Sequence, residues 1–470
     1  MIALSLAEIA TLTEGELRCF GDDAPETLVD GVVDTDSRTM APGGIFFAKP
    51  GEVTDGHRFV GAAVAAGAVL AVVEHPVPEP VSQIVVTDVL RALAQLARGV
   101  VARVREGGAL EVVGITGSNG KTTTKSFVHR ILEAEGETVA PVGSFNNAVG
   151  APVTALRIAE STRYLVSELG ARVPGAIARL GGIVEPDVSA ILMVGLSHAG
   201  EFGSIEQTAA TKAELIGVTR AGGTVVLNLD DPRVAAMRPA AVERGLKVVT
   251  FGQSAASDIR AEGIEVSAQG THCTVHVDGQ ELPLRLRVIG AHHVSNALAA
   301  IGITRALGVP AAEAISRLEG VEIAERWRMQ PLGGEEVRIY NDAYNASPDS
   351  MAAALRTLAQ ITGPDERTVA VLGAMSELGE ASGEEHDRIG LLAVRLNIQR
   401  IVIVGAEARR MFLSAVGEGS WDGEAVHFAD ADAAFEYLRE ELRPGDRVLV
   451  KSSNAAGLRF LGDRLGESFS

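Results

Sequence analysis

Two cysteines in 470 residues, Cys19 and Cys273, cannot build a disulfide framework, and their scarcity points to a reduced, cytoplasmic setting. Aromatic side chains are also scarce, at 4%, which excludes a base-stacking platform. Positive charge is short: 42 Lys and Arg stand against 61 Asp and Glu, a formal net charge of −19. Such a surface repels nucleic acid and anionic membrane. Any anionic ligand must then be met by locally placed Arg, Lys, metal ions or helix ends. Long hydrophobic runs are missing too. The longest, Gly61 to Val73, is rich in Ala and Gly and falls short of the ~20 residues a membrane helix needs. Glu8 and Glu14 interrupt the start of the chain, so no signal peptide is expected there. The expectation is a cytoplasmic monomer with no nucleic-acid partner and no membrane insertion.

What the chain does have is apolar material for several cores, at 46% hydrophobic residues. Its length fits about three domains on a prior of roughly 150 residues each. Short strands such as Gly44–Ala48, Val69–Val73 and Ile84–Val86 alternate with Ala-rich helical stretches in residues 1–105, and Arg103–Gly108 reads as a linker. Residues 106–325 continue with strands at Tyr164–Val166, Ser189–Val194, Gly223–Asn228 and Val248–Phe251. Alternating segments near Ile259–Val266 and Thr271–Val277 read as an antiparallel addition. Residues 326–470 repeat the strand–helix rhythm at Val337–Tyr340, Thr368–Leu372, Arg400–Val404 and Arg447–Lys451. This alternation predicts an α/β protein of three domains, with parallel sheets and ligand sites in the clefts between them.

The most informative segment is Thr116-Gly117-Ser118-Asn119-Gly120-Lys121-Thr122-Thr123, directly after the apolar run Val112–Ile115. A buried strand turning through glycines into a helix presents amides that cradle phosphate. Lys121 adds a point charge, and a Thr hydroxyl can hold Mg²⁺. The spacing departs from G-x-x-x-x-G-K-[ST], because Ile115 stands where the first Gly belongs.

Other candidates are weaker alone. Glu168, just past the strand Tyr164–Val166, is either a helix-start charge or a ligand of nucleotide-bound Mg²⁺. His198 and Lys212 read singly as a cap and a solvated Lys. Together with Glu168 they form a second metal cluster, provided Lys212 is buried, neutral and converted by CO₂ to a carbamate. The pair His292-His293 opens a helix, with Asn296 one turn on, either on the helix surface or reading an adenine edge. Asp342–Ser350 is turn chemistry at a strand's C-terminal edge, ending in a Pro that opens a helix. Asp36-Ser37-Arg38 is an exposed ion pair in a turn or an anion-binding Arg.

Taken together, these segments resemble the Mur ligase family. Thr116–Thr123 is similar to its T-G-x-x-G-K-T loop, which accounts for the displaced glycine. Gly290–Ala297 resembles its G-x-H-x-x-x-N-A segment, and Asp342–Pro348 resembles D-x-Y-N-A-N-P, the form found in members that add a dipeptide. Ser144–Gly150 and Glu377-Leu378-Gly379 with His386 also look like segments of those members. Two departures stand out: Ser347 replaces a common Asn, and Lys451-Ser452-Ser453-Asn454 stands where K-G-S-R is usual.

The resemblance implies a small α/β N-terminal domain for a UDP-sugar, a central P-loop-type sheet for ATP and a Rossmann-like C-terminal domain. It implies an ATP- and Mg²⁺-dependent ligase that joins D-alanyl-D-alanine to a UDP-N-acetylmuramoyl tripeptide through an acyl phosphate. Carried over by position, ATP falls to Gly117, Ser118, Asn119, Gly120, Lys121, Thr122, Thr123, Asn296, Arg326 and Asp342. The catalytic group is then Lys121, His198, Lys212 and Arg326. Thr122, Glu168, His198 and carbamylated Lys212 hold metal, and Ser37, Arg38, Asn146 and Asn147 meet the UDP-sugar. The rivals are a folylpolyglutamate-synthase-like ligase and a nucleotide-binding regulator without turnover.

Overall fold

Runs of β-branched residues that are apolar on both faces become central parallel strands, and the Ala-rich segments between them become the covering helices. The computed structural model describes residues 1–51, 54–196, 200, 203–321, 326–418 and 421–470. Within 1–105, a five-stranded sheet runs in the order Glu16–Arg18, Ser82–Val85, Leu70–Val73, Ile45–Phe47, Val33–Asp34. Only its first pair is antiparallel. A small antiparallel pair, Leu4–Ser5 with Leu28–Val29, stands beside it.

The central sheet has nine strands. Its order is Thr138–Val139, Tyr164–Glu168, Glu111–Thr116, Val188–Ile191, Thr224–Asn228, Lys247–Gly252, Ile259–Ser267, Gly270–Val277, Gln280–Leu286. The first seven run parallel, and the last two add an antiparallel meander. The third sheet runs Gln330–Gly333, Arg338–Asn341, Asp446–Lys451, Arg367–Leu372, Arg400–Val404, Glu424–Phe428, parallel except at its first pair.

The expected linker at Arg103–Gly108 is instead the end of the helix Val89–Glu106, followed by a turn. Val104 is buried, Arg103 pairs with Glu8 at 2.7 Å and Arg105 with Asp187 at 3.0 Å. The charges that suggested solvent are therefore the helix's anchors. Leu93, Leu96 and Val100 of this helix belong to a core that also takes in Leu4, Ile9, Leu165, Ile177 and Leu227, so the first two sheets share one apolar interior.

Candidate functional site

The strand Glu111–Thr116 lies between Tyr164–Glu168 and Val188–Ile191, so three neighbouring C-terminal strand ends deliver their loops to one place. The first loop ends at Gly120, which caps the helix Lys121–Leu132 at φ +85°. A Cβ there would be strained, and it would overlap Oδ1 of Asn296. Ser118 ties the loop to the third strand end: its Oγ receives the Gly195 amide at 2.8 Å, and its own amide donates to Met193 O at 2.9 Å. Lys121 Nζ donates back to Gly117 O at 2.7 Å. Burial lowers the pKa of this half-buried ammonium and nearby Glu168 opposes the shift. The cation is thus held within its own loop.

Glu168 ends the second strand, 1% exposed. Its Oε1 accepts from Asn146 Nδ2 at 2.7 Å and from Thr122 Oγ1 at 3.4 Å. Its Oε2 is buried with no hydrogen-bond partner among the described residues. A buried carboxylate oxygen without a donor is costly, and one beside a Thr hydroxyl and a phosphate loop offers a hard cation two oxygen ligands. The residues present therefore fit Mg²⁺. Asn146, expected at the UDP-sugar, orients this carboxylate. Asn147 Oδ1 accepts the amides of Val149 and Gly150 and so starts the helix Gly150–Ala155.

Lys212 lies on the helix Ile205–Val218, 4% exposed, and forms no hydrogen bond among the described residues. Burial first, and the Lys121 charge second, bring its pKa down to about 7. A neutral amine is therefore accessible near physiological pH, the condition for reaction with CO₂. His198, its expected metal partner, lies outside the described residues.

Two cavities meet at Lys121. One, of about 280 Å³, follows the phosphate loop to Asn296, Asp342 and Asp349. The other, of about 670 Å³, opens past Asn146 and Asn147 to Lys212, Arg172 and Asn454. Lys121, Ser144, Asn146, Tyr344 and Asn345 line both. The third sheet closes over them: Tyr344 and Ser144 share a 2.6 Å hydrogen bond, and Ser347 Oγ donates to Asn119 Oδ1 at 3.2 Å. Ser347 also caps the helix Pro348–Ile361, so the shorter side chain in place of the common Asn still serves both contacts. Asp342 accepts the Met329 amide at 3.0 Å and pairs with buried Lys451 at 2.6 Å.

Arg326 departs from expectation. Its guanidinium is exposed, pairs with Asp463 at 2.8 Å and lies over the Trp327 ring at 4.8 Å, outside both cavities. Arg328 stands in the cavity along the phosphate loop instead. It is stacked on Tyr344 at 4.3 Å, with one guanidinium nitrogen 3.4 Å from Thr122 Oγ1. The backbone enforces the choice, because Trp327 and Met329, on either side, sit at φ +64° and +50°. That strained geometry is locked by Trp327 Nε1 on Asp463 at 3.0 Å, Gln330 Oε1 on the Trp327 amide at 3.0 Å and Asp342 on the Met329 amide. Spacing alone could not separate the two arginines of Arg326-Trp327-Arg328; the signal lay in which one the turn directs inward.

Asn296, buried on the helix His292–Ala306, lines the cavity along the phosphate loop. Ser37 and Arg38 lie at the C-terminal end of the strand Val33–Asp34, away from these cavities. Arg38 is 87% exposed and paired with Asp36 at 2.6 Å, which holds that carboxyl down at about 2.

The Mur ligase family matches in three stretches: the family's catalytic domain at residues 31–100, its middle domain at 115–304 and its glutamate ligase domain at 327–454. A UDP-N-acetylmuramoyl-tripeptide–D-alanyl-D-alanine ligase of Mycobacterium bovis is 42% identical, covering 99% of this chain and 98% of its own. Among solved structures, MurF of Acinetobacter baumannii superposes with a TM-score of 0.89 at 30% identity, covering 99% of both chains. MurF of Thermotoga maritima, solved with ADP, gives 0.81 at 25% identity over 94% of this chain and 98% of that one. With its phosphate loop, buried carboxylate and clamping third sheet in the same frame, the chain belongs to the Mur ligase family.

Proposed function

We infer that this chain is an ATP-dependent ligase that joins D-alanyl-D-alanine to a UDP-N-acetylmuramoyl tripeptide in peptidoglycan precursor synthesis. The observation that carries the reading is the meeting of two cavities at Lys121, one along the phosphate loop and one roomy enough for a peptide-bearing substrate. The full-length likeness to ligases of that name supports it. A carboxylate in the larger cavity attacks the γ-phosphorus, the bond to ADP breaks and an acyl phosphate forms. The amine of the dipeptide then adds to the acyl carbon, loses a proton, and phosphate leaves with its C–O electron pair. No covalent enzyme intermediate is needed, so positioning and charge neutralisation carry the rate.

In this reading Lys121 and the amides of 117–123 hold the phosphates, Asn296 and Asp342 hold the nucleoside, and Arg328 takes the part expected of Arg326. Thr122 and Glu168 would hold one Mg²⁺, and His198 with carbamylated Lys212 a second. Bound there, Mg²⁺ neutralises charge on the transferring phosphoryl group. Asn146 orients Glu168, and the exposed 37–38 turn receives the UDP-sugar. Divisions of the chain near 105 and 325 are supported by each sheet drawing its strands from one side of a border. Scarce cysteine supports the cytoplasm as location; light scattering on the purified chain tests the monomer.

The deciding experiment is phosphate release from ATP with both other substrates present. Turnover that needs the UDP-muramyl tripeptide and D-alanyl-D-alanine together supports the reading, and ATP hydrolysis indifferent to them overturns it. Thermal protection by a folate and not by the UDP-sugar would favour the folate-type rival. For the carbamate, ¹³C-bicarbonate should give the wild-type protein a carbamate resonance that Lys212→Ala lacks. An identical spectrum in both removes Lys212 from the metal set.

A further inference from the structure

Behind the nucleotide site lies a third cavity, of about 750 Å³, that the reaction described above does not use. It is a cleft between two domains. The turn at Ala268-Gln269 and the segment Arg287–Ile289 of the central domain form one wall. The face of the third sheet that carries Arg338, Tyr340 and Arg447 forms the other. Arg338 and Arg447 are side by side in register on neighbouring parallel strands, so their side chains share that face.

Four guanidinium groups line this space, those of Arg287, Arg328, Arg338 and Arg447, with one carboxylate, Glu335, among the described residues; Arg287 is already engaged. Arg447 is engaged by Glu366 and by Glu335 O at 3.2 Å. Arg338 has no hydrogen-bond or carboxylate partner among the described residues. In a chain of net charge −19, acidic side chains to neutralise it are abundant, so leaving a half-buried guanidinium uncommitted in a cleft is a departure that a ligand would resolve. His293, 5% exposed, also lines the cavity, and its Nδ1 is buried without a hydrogen-bond partner among the described residues.

We propose that this cleft is a second anion site, taking a small molecule with two or more linked phosphates. Guanidinium forks spread over two walls match a chain of phosphate oxygens, each able to accept in bidentate fashion, better than they match one compact carboxylate. The occupant would bridge the central domain to the third sheet. It would also touch the nucleotide site, because His293 and Arg328 line both cavities.

The test is calorimetric titration of inorganic tripolyphosphate into the full chain. Lys121→Ala removes the phosphate-loop cation and Arg338→Ala the proposed one. Lys121→Ala should keep tripolyphosphate binding within threefold of wild type at the cleft, Arg338→Ala should weaken it at least tenfold, and Arg338→Lys should fall between. Melting temperatures of the Arg338 variants within 2 °C of wild type would exclude misfolding. Binding by wild type that Lys121→Ala abolishes, equal binding by Arg338→Ala, or no binding beyond the phosphate loop would each overturn the site. Citrate bound as tightly as tripolyphosphate would overturn the phosphate assignment.

Discussion

At the scale of single residues, two arginines two positions apart have opposite fates. Arg328 reaches Thr122 across the domain junction, while Arg326 is spent on Asp463 and the Trp327 ring. A cation that meets developing phosphoryl charge in a water-poor site is worth several kcal/mol, whereas an exposed ion pair is worth ~1 kcal/mol or less. Arg328→Ala should therefore lower kcat about 100-fold or more with the melting temperature little changed, and guanidinium should restore part of it. Arg326→Ala should change kcat less than about threefold. The reverse order in steady-state phosphate release would put the expected Arg back in the site. The loop itself was legible because Gly120, Lys121 and Thr122 are needed by chemistry at fixed spacing. The Arg was not, because its direction is set by two left-handed residues, Trp327 and Met329, that no local preference announces.

At the scale of elements, the interior strands were legible and the edges were not. Arg400–Val404 was read to the residue, and the central strands to within a few. Gln280–Leu286, Gln330–Gly333 and Glu424–Phe428 carry no strand signal in the sequence, and each is an edge strand, the last two at opposite edges of the third sheet. Pro283 and Pro331 sit in two of them, tolerated because an edge strand has one side without ladder partners. The helix His292–Ala306 carries its own pH dependence. Burial, then His292 and Arg328, hold the His293 pKa well below 6.5. Below 6.5 the unfolded chain therefore binds protons that the folded chain refuses, so stability rises with pH up to that value and is lost as pH falls beneath it. Melting temperature should drop between pH 6.5 and 4.5 in wild type, and the drop should be shallower in His293→Gln. Parallel profiles would show that other groups govern the acid limb.

At the scale of the whole molecule, the three sheets are not equally independent. The first two share a continuous core through the helix Val89–Glu106, whereas the third has two apolar clusters of its own, one of which takes in Ile289 and Val266 of the central domain. Beyond that apolar touch it meets the rest through polar contacts such as Ser144–Tyr344, Asn119–Ser347 and Arg172–Glu377. Contacts of that kind separate readily. Calorimetry should therefore resolve two transitions, with residues 1–321 melting as one unit, and ADP should draw the two together because the proposed nucleotide site is split between them. Three resolved transitions would mean the shared core does not couple the first two sheets. The composition announced three α/β units, but not that two of them are fused, because the fusing helix ends in charges that read as a linker.

The Trp327 side chain offers an optical consequence. The chain has two tryptophans, and the other, Trp421, packs against the third domain's own core. The Trp327 indole donates to Asp463 beneath the Arg326 and Arg459 cations, and its backbone carbonyl accepts the Tyr344 amide, one residue from the arginine that reaches Thr122. In a Trp421→Phe background the protein carries a single emitter at its domain junction. Stopped-flow fluorescence then reads whether the third domain moves when nucleotide is added, without a label and without turnover.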